Sequence, residues 1–344
     1  MIILKMKRHF NKTLKPWRFA AGLGACILVG FFALRFATSH WNMGKNTNNS
    51  CPPATESSPL KIASTSLAGD EILVRILTKA GATERLVAVS AQADNPTYSH
   101  VAQEVSKIIP RVGDNLEALA SLQPDLVVFA SFNRPAVSNT LKSLAVQTCW
   151  LDAFESLDDI RTNIMKLGAA LGLKDDANAI ADTFQREGGA AARATQILAG
   201  EMKSAPRTRV LSFDGSGTVM AGKTTFDDLV HLAGGINAAS AAGLTGWPRV
   251  TAESLTSLAP DIIVLLTDTQ NADSLKQQLR ALPGWRDTPA VKNHRYVVPS
   301  SADLLALSPD VLNTVSILRA AFFRGPSPKR QLELHQQPHE KARP

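Results

Sequence analysis

Only three cysteines occur in 344 residues, so no framework of disulfides holds this chain and its stability must come from apolar cores. Cys26 lies in an N-terminal apolar segment, Cys51 in a polar linker and Cys149 at the end of a predicted strand. A Cys51–Cys149 bridge can form in an oxidising compartment, but the expectation is one mobile linker thiol and one small buried thiol. Acidic residues are missing from the first 35 positions, where Lys5, Lys7, Arg8, Lys12, Lys15, Arg18 and Arg35 lie. Without those seven the remainder balances at 30 basic and 30 acidic residues. The pI near 9.4 therefore belongs to the leader, which argues against a nucleic-acid partner. No Ser-His-Asp order or carboxylate pair sits in a context that suggests catalysis, so no catalytic residue is assigned. His100, His231 and His294 are too dispersed for a metal site, and none is assigned.

What is present is a repetition. Residues 116–129, LEALASLQPDLVVF, return 136 positions later as residues 252–265, AESLTSLAPDIIVL, with seven of fourteen positions identical. Each copy reads as a short helix with leucines three apart, a Pro-Asp turn and an apolar run suited to a buried parallel strand. So large a spacing excludes a short solenoid repeat and points to two lobes on one plan, with a cleft between them.

The cationic start followed by the sixteen apolar or small residues Phe19 to Leu34 reads as an export signal or membrane anchor covering residues 1–38. The chain beyond about residue 40 is then carried across the membrane. Ala37-Thr38-Ser39 offers a cleavage site, and Leu23-Gly24-Ala25-Cys26 is similar to a lipoprotein box. Residues 39–59 have the composition of a flexible spacer.

Lobe one, residues 60–156, is expected to run strand 61–64, helix 68–80 closed by Gly81, strand 86–90, the first repeat, a helix from Pro135 to Leu144 and strand 146–151. Helical spacing over 157–205 predicts one long connector acting as a rigid rod. Lobe two, residues 206–323, is expected to hold strand 209–213, helix 226–232, the second repeat, strand 296–299 and helix 309–323. The tail 324–344 is expected to be disordered. The fold class is thus α/β: two β/α lobes with central parallel sheets, one helical connector and a ligand cleft between the lobes.

Several ordered motifs carry a family resemblance. They are Ala80-Gly81-Ala82 with Leu86-Val87-Ala88-Val89-Ser90; Arg111-Val112-Gly113 with Asn115-Leu116-Glu117; Pro124-Asp125-Leu126-Val127; Ala221-Gly222-Lys223 with Asp227-Asp228-Leu229; Leu232-Ala233-Gly234-Gly235; and Gly246-Trp247-Pro248 leading to Glu253. Over residues 61 to 323 the chain resembles the periplasmic substrate-binding proteins of bacterial ABC importers, in the class serving iron-siderophores, haem and cobalamin. The resemblance implies capture of a cobalamin-type corrinoid or ferric siderophore and delivery to an ABC permease with its ATPase, small lobe movements, and no chemistry. It also implies a periplasmic monomer tethered to the inner membrane by its N-terminal segment, with no cofactor beyond the cobalt or iron of the ligand. Glu117 and Glu253, matched in the repeat, are the implied permease-docking acids.

Trp247-Pro248 is the leading ligand feature, because a Trp braced by Pro before a helix offers a flat apolar face to a corrin, haem or aromatic siderophore. Tyr98 and Phe132-Asn133-Arg134 follow predicted strand ends, where α/β lobes place ligand contacts. A haem-binding alternative would need an axial ligand such as Tyr98 or His100, since the stretch before Glu117 reads Gly113-Asp114-Asn115. A reading from another class is a P-loop nucleotide hydrolase, because residues 217–224, GTVMAGKT, match the phosphate-loop pattern. Against it, Val219-Met220 is bulky where amides should wrap a phosphate. A third is a structural or sensory domain without a tight ligand.

Overall fold

A computed structural model describes residues 51–54, 58–107, 110–113, 115–131, 140–141, 146–201 and 207–323. The leader, most of the spacer, the tail, most of the helix expected at 135–144, and the candidates Phe132, Asn133 and Arg134 lie outside the described residues. Among the described residues no helix is long and apolar enough to cross a membrane.

The first lobe runs β1 (Ile62–Ser64), α1 (Leu67–Ala80), β2 (Leu86–Ser90), β3 (Arg111–Val112), α2 (Leu116–Ser121), β4 (Leu126–Ala130) and β5 (Gln147–Leu151). Its strands are all parallel, in the order β3-β2-β1-β4-β5. The second lobe holds β6 (Arg209–Phe213), α5 (Thr225–Leu232), β7 (Ile236–Asn237), α6 (Ala238–Ala241), α7 (Ala252–Leu258), β8 (Ile262–Leu265), α8 (Ala272–Ala281), α9 (Pro289–Lys292), β9 (Tyr296–Val297), α10 (Ser301–Leu305) and α11 (Asn313–Phe323). Its sheet, β7-β6-β8-β9, is also parallel. The two central strands of each sheet, β1-β4 and β6-β8, occupy the same places relative to the repeat.

The repeat is conformational as well as sequential. Asn115 and Thr251 cap α2 and α7 with their side chains. The residues before the two prolines, Gln123 and Ala259, both have positive φ, 48° and 38°. The following aspartates turn back onto the first strand of their own sheet: Asp125 Oδ2 accepts the Leu60 and Lys61 N–H groups at 2.8 Å, and Asp261 Oδ2 accepts that of Arg209 at 2.9 Å. The Pro-Asp pair thus fixes where the edge of a neighbouring strand begins.

Where one rod was expected, the helical stretch is two helices, α3 (Leu157–Leu171) and α4 (Lys174–Glu201). Gly172 has φ 73°, and Leu173 N–H reaches back to the Gly168 carbonyl at 2.8 Å, a left-handed stop that only glycine adopts readily. Gly168 also lets the helices fold tightly onto each other, since a Cβ there would fall 2.1 Å from Ala177 Cβ. So α3 packs with the first lobe, and α4, about 42 Å long at 1.5 Å per residue, makes the connection.

Alternate residues of the parallel strands serve two cores. Ile62, Leu126, Val128, Val210, Ile262 and Val264 join one apolar cluster with α1, α3, α4, α5 and α11 that runs unbroken through both lobes. Val127, Phe129 and Trp150 face a separate core in the first lobe, where Phe129 and Trp150 stack at 5.0 Å. Leu211, Phe213 and Ile263 do the same in the second, with Phe213 4.5 Å from Trp285. A shared core through the connector resists wide opening of the lobes.

Cys51 and Cys149 are joined by a disulfide, which corrects the expectation of two separate thiols. The physical reason is that residues 51–54 and 58–60 are held against the lobe. Ala54 N–H bonds the Ala169 carbonyl at 2.9 Å, Pro59 is buried, and its carbonyl accepts both Arg85 Nε and Nη2. That path brings Cys51 beside β5.

Candidate ligand-binding cleft

Carboxyl ends of parallel strands leave backbone amides and loop side chains facing outward, which is where an α/β lobe meets a ligand. In the first lobe the chain leaving β2 makes a run of turns: Thr97 N–H bonds Asn95 Oδ1, and the Tyr98 and Ser99 N–H groups bond the Asn95 carbonyl, at 2.9–3.0 Å. This ties residues 95 to 99 into one unit and presents Tyr98 half-buried. Burial pushes the Tyr98 phenol above its ordinary 10.0, and the charge of Asp268 adds to the effect. Asp268 belongs to the second lobe, just past β8, and is held by Asn271 through its N–H at 2.8 Å and its side-chain amide at 3.0 Å. The charge of Asp268 on the second lobe is therefore felt by Tyr98 on the first.

Trp247-Pro248 lies at the corresponding end of the second lobe. Residues 218–222 pair with 245–249: Val219 N–H bonds the Pro248 carbonyl at 3.0 Å and Ala221 N–H the Gly246 carbonyl at 2.9 Å, with bridges between Thr218 and Arg249 and between Gly222 and Thr245. Gly246 has φ 69°, a turn that suits glycine just before the Trp. Trp247 is half-buried against the shared core, and Pro248 is half-buried beside it. Trp150 and Trp285 are both 3% exposed, which leaves Trp247 as the accessible indole of the described residues.

The same pairing answers the phosphate-loop match. Thr218 N–H goes to Asp214 Oδ1, Met220 N–H to Ser212 Oγ, and the Val219, Ala221 and Gly222 amides to the 244–248 segment. Amides that should cradle a phosphate are spent inside the protein, and a carboxylate stands among them. Val219 and Met220 are buried at 1% and 3% exposure, anchoring the ribbon rather than wrapping an anion.

Glu117 and Glu253 are both exposed, each at the second position of its helix, α2 and α7. Neither lies near Tyr98 or Trp247 in the hydrogen-bond pattern; they stand on the lobe surfaces. Among the described residues no group of three or more His, Cys, Asp or Glu comes together as a metal site. The structure gives Asp268 a place that the sequence did not assign it, and gathers a set of ionisable groups where α1 meets the second lobe, among them His100, which the sequence offered only as an axial ligand. The signal available for the latter was Asp70-Glu71 inside the apolar stripe of α1.

Parallel sheets sharing one core, with half-buried aromatics at their facing carboxyl ends, define a two-lobed binding protein for a small ligand. Residues 62–302 match the periplasmic binding protein family, and the chain belongs to it. It is 28% identical over 250 residues to the uncharacterised ABC transporter substrate-binding lipoprotein YvrC of Bacillus subtilis, covering 69% of this chain and 71% of that one. It is 28% identical over 189 residues to the vitamin B12-binding protein of Pectobacterium carotovorum, covering 54% of this chain and 65% of the relative's length. Among solved structures, the periplasmic heme-binding protein BhuT in complex with two hemes is 25% identical with a TM-score of 0.63, over 78% of this chain and 98% of that one. The vitamin B12 binding protein BtuF of Vibrio cholerae shares the fold at 21% identity, with a TM-score of 0.57 over 77% and 97% of the two chains.

Proposed function

We propose that this protein is the substrate-binding component of an ABC importer, and that it captures a corrinoid of the cobalamin type between its lobes and hands it to the membrane permease. The observation that carries the reading is one half-buried aromatic in a loop of each lobe, Tyr98 and Trp247, with the charge of Asp268 acting on the first. A wide, flat chelate needs apolar faces above and below and a few polar groups to orient it. Similarity to vitamin B12-binding relatives supports the corrinoid over other flat chelates. Phe132, Asn133 and Arg134 complete the proposed contact set at the end of β4. A ferric siderophore is the alternative within the same reading.

Haem is the second reading, favoured by the likeness to the two-haem complex. A phenol held protonated by burial and by Asp268 is a poor iron ligand, which weighs against Tyr98 in that role. No cofactor of the protein's own is proposed; any metal arrives inside the ligand. Glu117 and Glu253 are the proposed contacts to the permease, the protein acts as a periplasmic monomer, and its N-terminal segment holds it to the inner membrane.

Titration of the purified protein with cobalamin, cobinamide, haemin and ferric siderophores, read by quenching of tryptophan fluorescence, tests this. Saturable quenching by a corrinoid that weakens at least about tenfold in Trp247→Ala is the expected result, the loss of one stacking aromatic being worth about 1.4 kcal/mol or more. Quenching by haemin alone moves the assignment to the second reading, and no quenching by any of them favours a different chelate or a role outside transport and removes the reason for choosing Trp247.

A further inference from the structure

Where α1 meets the second lobe, five ionisable groups from four segments converge. Arg75 of α1 pairs with Asp310 of the turn before α11. His100 Nε2, in the loop carrying Tyr98, stands 3.2 Å from Asp303 Oδ1 on α10. Between them Glu71 of α1, 1% exposed, accepts the His100 backbone N–H through Oε1 at 3.1 Å. Each acid of the second lobe is also fixed from its own side. Asp303 accepts Ser300 Oγ at 2.6 Å and Asn313 Nδ2 at 3.0 Å, while Asp310 accepts Ser308 Oγ at 2.9 Å.

Three carboxylates face one permanent cation, so the second positive charge must come from His100. Burial works against its protonation, but the Asp303 carboxylate 3.2 Å away and the charges of Asp310 and Glu71 reverse this and hold the imidazole above its ordinary 6.5. Glu71 moves the other way from a usual surface acid. Burial raises it, opposed by the Ser308 hydroxyl and the His100 N–H, while Asp310 adds to the rise. Asp303, although burial would raise it, is brought below its ordinary value by His100, Ser300 and Asn313.

His100 lies two residues past Tyr98, and the turns around Asn95 make that segment move as a unit. We infer that Glu71 and His100 are positioning residues, which set Tyr98 against the second lobe through Asp303, and that the proton on His100 decides how firmly the lobes are held at that point. The inference rests on the reading of Tyr98 as a ligand contact, but the hold itself does not. A group raised on folding gives its full stabilisation below its unfolded value and loses it as pH rises through the folded one. The hold is therefore full below the ordinary histidine value of 6.5 and is released as pH rises through the higher folded value, with protonation of Asp303, held below its ordinary 3.8, setting the limit on the acid side. Partners facing His100 are Glu71 and Arg75 from α1, Asp303 from α10 and Asp310 from the turn before α11.

Two measurements separate this inference from the ligand assignment. In ligand-free protein, long-range nitrogen–proton NMR of the His100 ring should show a titration midpoint above 6.5 that falls by about one pH unit in Asp303→Asn. Protection of the amides of residues 97 to 101 from hydrogen exchange, taken against the intrinsic rate at each pH, should fall across the same pH interval in wild type and be low throughout in Asp303→Asn. A midpoint that ignores Asp303→Asn, or protection that ignores pH, overturns the proposal whether or not any ligand binds. With cyanocobalamin as probe, wild type should bind several-fold more weakly at about pH 8.5 than at about pH 6, and His100→Gln should bind weakly and evenly at both. Glu71→Gln, which still accepts the His100 amide, should restore what Glu71→Ala loses at neutral pH. A His100→Gln variant that keeps the wild-type pH dependence refutes the positioning role. Failure of cyanocobalamin to bind at all counts against the ligand reading, and the NMR and exchange results then decide the hold alone.

Discussion

Replacing Asp70 by Asn should make the protein more stable at neutral pH, although it removes a charged hydrogen-bonding group from the core. Asp70 is 0% exposed, in the first turn of α1, and lies across the carboxyl ends of β1 and β2. It takes the Ser90 N–H at 3.1 Å and the Ser90 hydroxyl as well. Gly69 beside it permits the close fit, since a Cβ there would sit 2.7 Å from Ser64 Oγ. Burial raises the carboxyl from 3.8 to about 7, against hydrogen bonds from Ser90 and Ser64 that pull it down, with Glu71 adding to the rise. That difference is worth about 4 kcal/mol at about 1.4 kcal/mol per pH unit.

The sign follows from where the proton binds. Between 3.8 and about 7 the folded state keeps a proton that the unfolded state releases, so stability falls as pH rises and levels off above the folded value. Asn copies the protonated carboxyl without a charge, and a Ser90 hydroxyl that must now accept offsets about 1 kcal/mol. Urea unfolding of wild type and Asp70→Asn should therefore coincide near pH 4 and diverge to about 3 kcal/mol in favour of Asn by pH 8. Using the difference between the two proteins cancels much of the contribution of Glu71 and His100, which titrate over overlapping ranges. Equal gaps at both pH values, or a variant less stable at pH 8, would refute the account of a desolvated, proton-holding acid.

Reducing the Cys51–Cys149 bridge, or replacing Cys51 by Ser, should cost about 2–5 kcal/mol, as expected for a cross-link closing a loop of about 100 residues; chemical unfolding with and without reductant measures it, and unchanged midpoints would show the bridge to be structurally idle. Glu117→Lys and Glu253→Lys should each leave corrinoid affinity within about twofold, because both residues are exposed, yet sharply lower uptake through the cognate permease in reconstituted vesicles. Uptake at the wild-type rate in the double variant would remove the docking role.

Much of this fold could be read from the chain because its strongest signals are local. The strands at 86–90 and 209–213 stand where their apolar runs put them, bounded by a helix stop and a loop. The Pro-Asp turn recurs with the same geometry because each aspartate has the same task, receiving the amides at the start of a neighbouring strand. The short strands β3 and β7 have two residues each and carry no period to detect. Gly172 was visible, but helical spacing resumes after it; whether such a glycine interrupts a helix depends on what packs behind it, here Ala177 against Gly168.

Tyr98 and Trp247, the proposed ligand contacts, could be singled out by residue type and place. Asp268 could not, since a carboxylate after a strand resembles any solvated acid until the opposite lobe is present. Glu71 carried no signal as a site residue and His100 only that of an axial ligand, because Asp303 and Ser308, which face them, are more than 200 residues away in the chain. The pairing of Cys51 was missed because composition alone treats a polar stretch as a spacer, whereas its last residues follow α3.

The bridge also sets a load path. Tension on the chain ahead of Cys51 reaches the folded body through Cys149, within β5, where that strand is laddered to β4 along all five residues. It reaches the sheet ahead of β1 in the chain and so does not pull on β1, the strand that holds β2 and β4 together. A pull from the N-terminal side is thus borne by the flank of the sheet while its centre is shielded, and the cleft built on those central strands keeps its shape under strain.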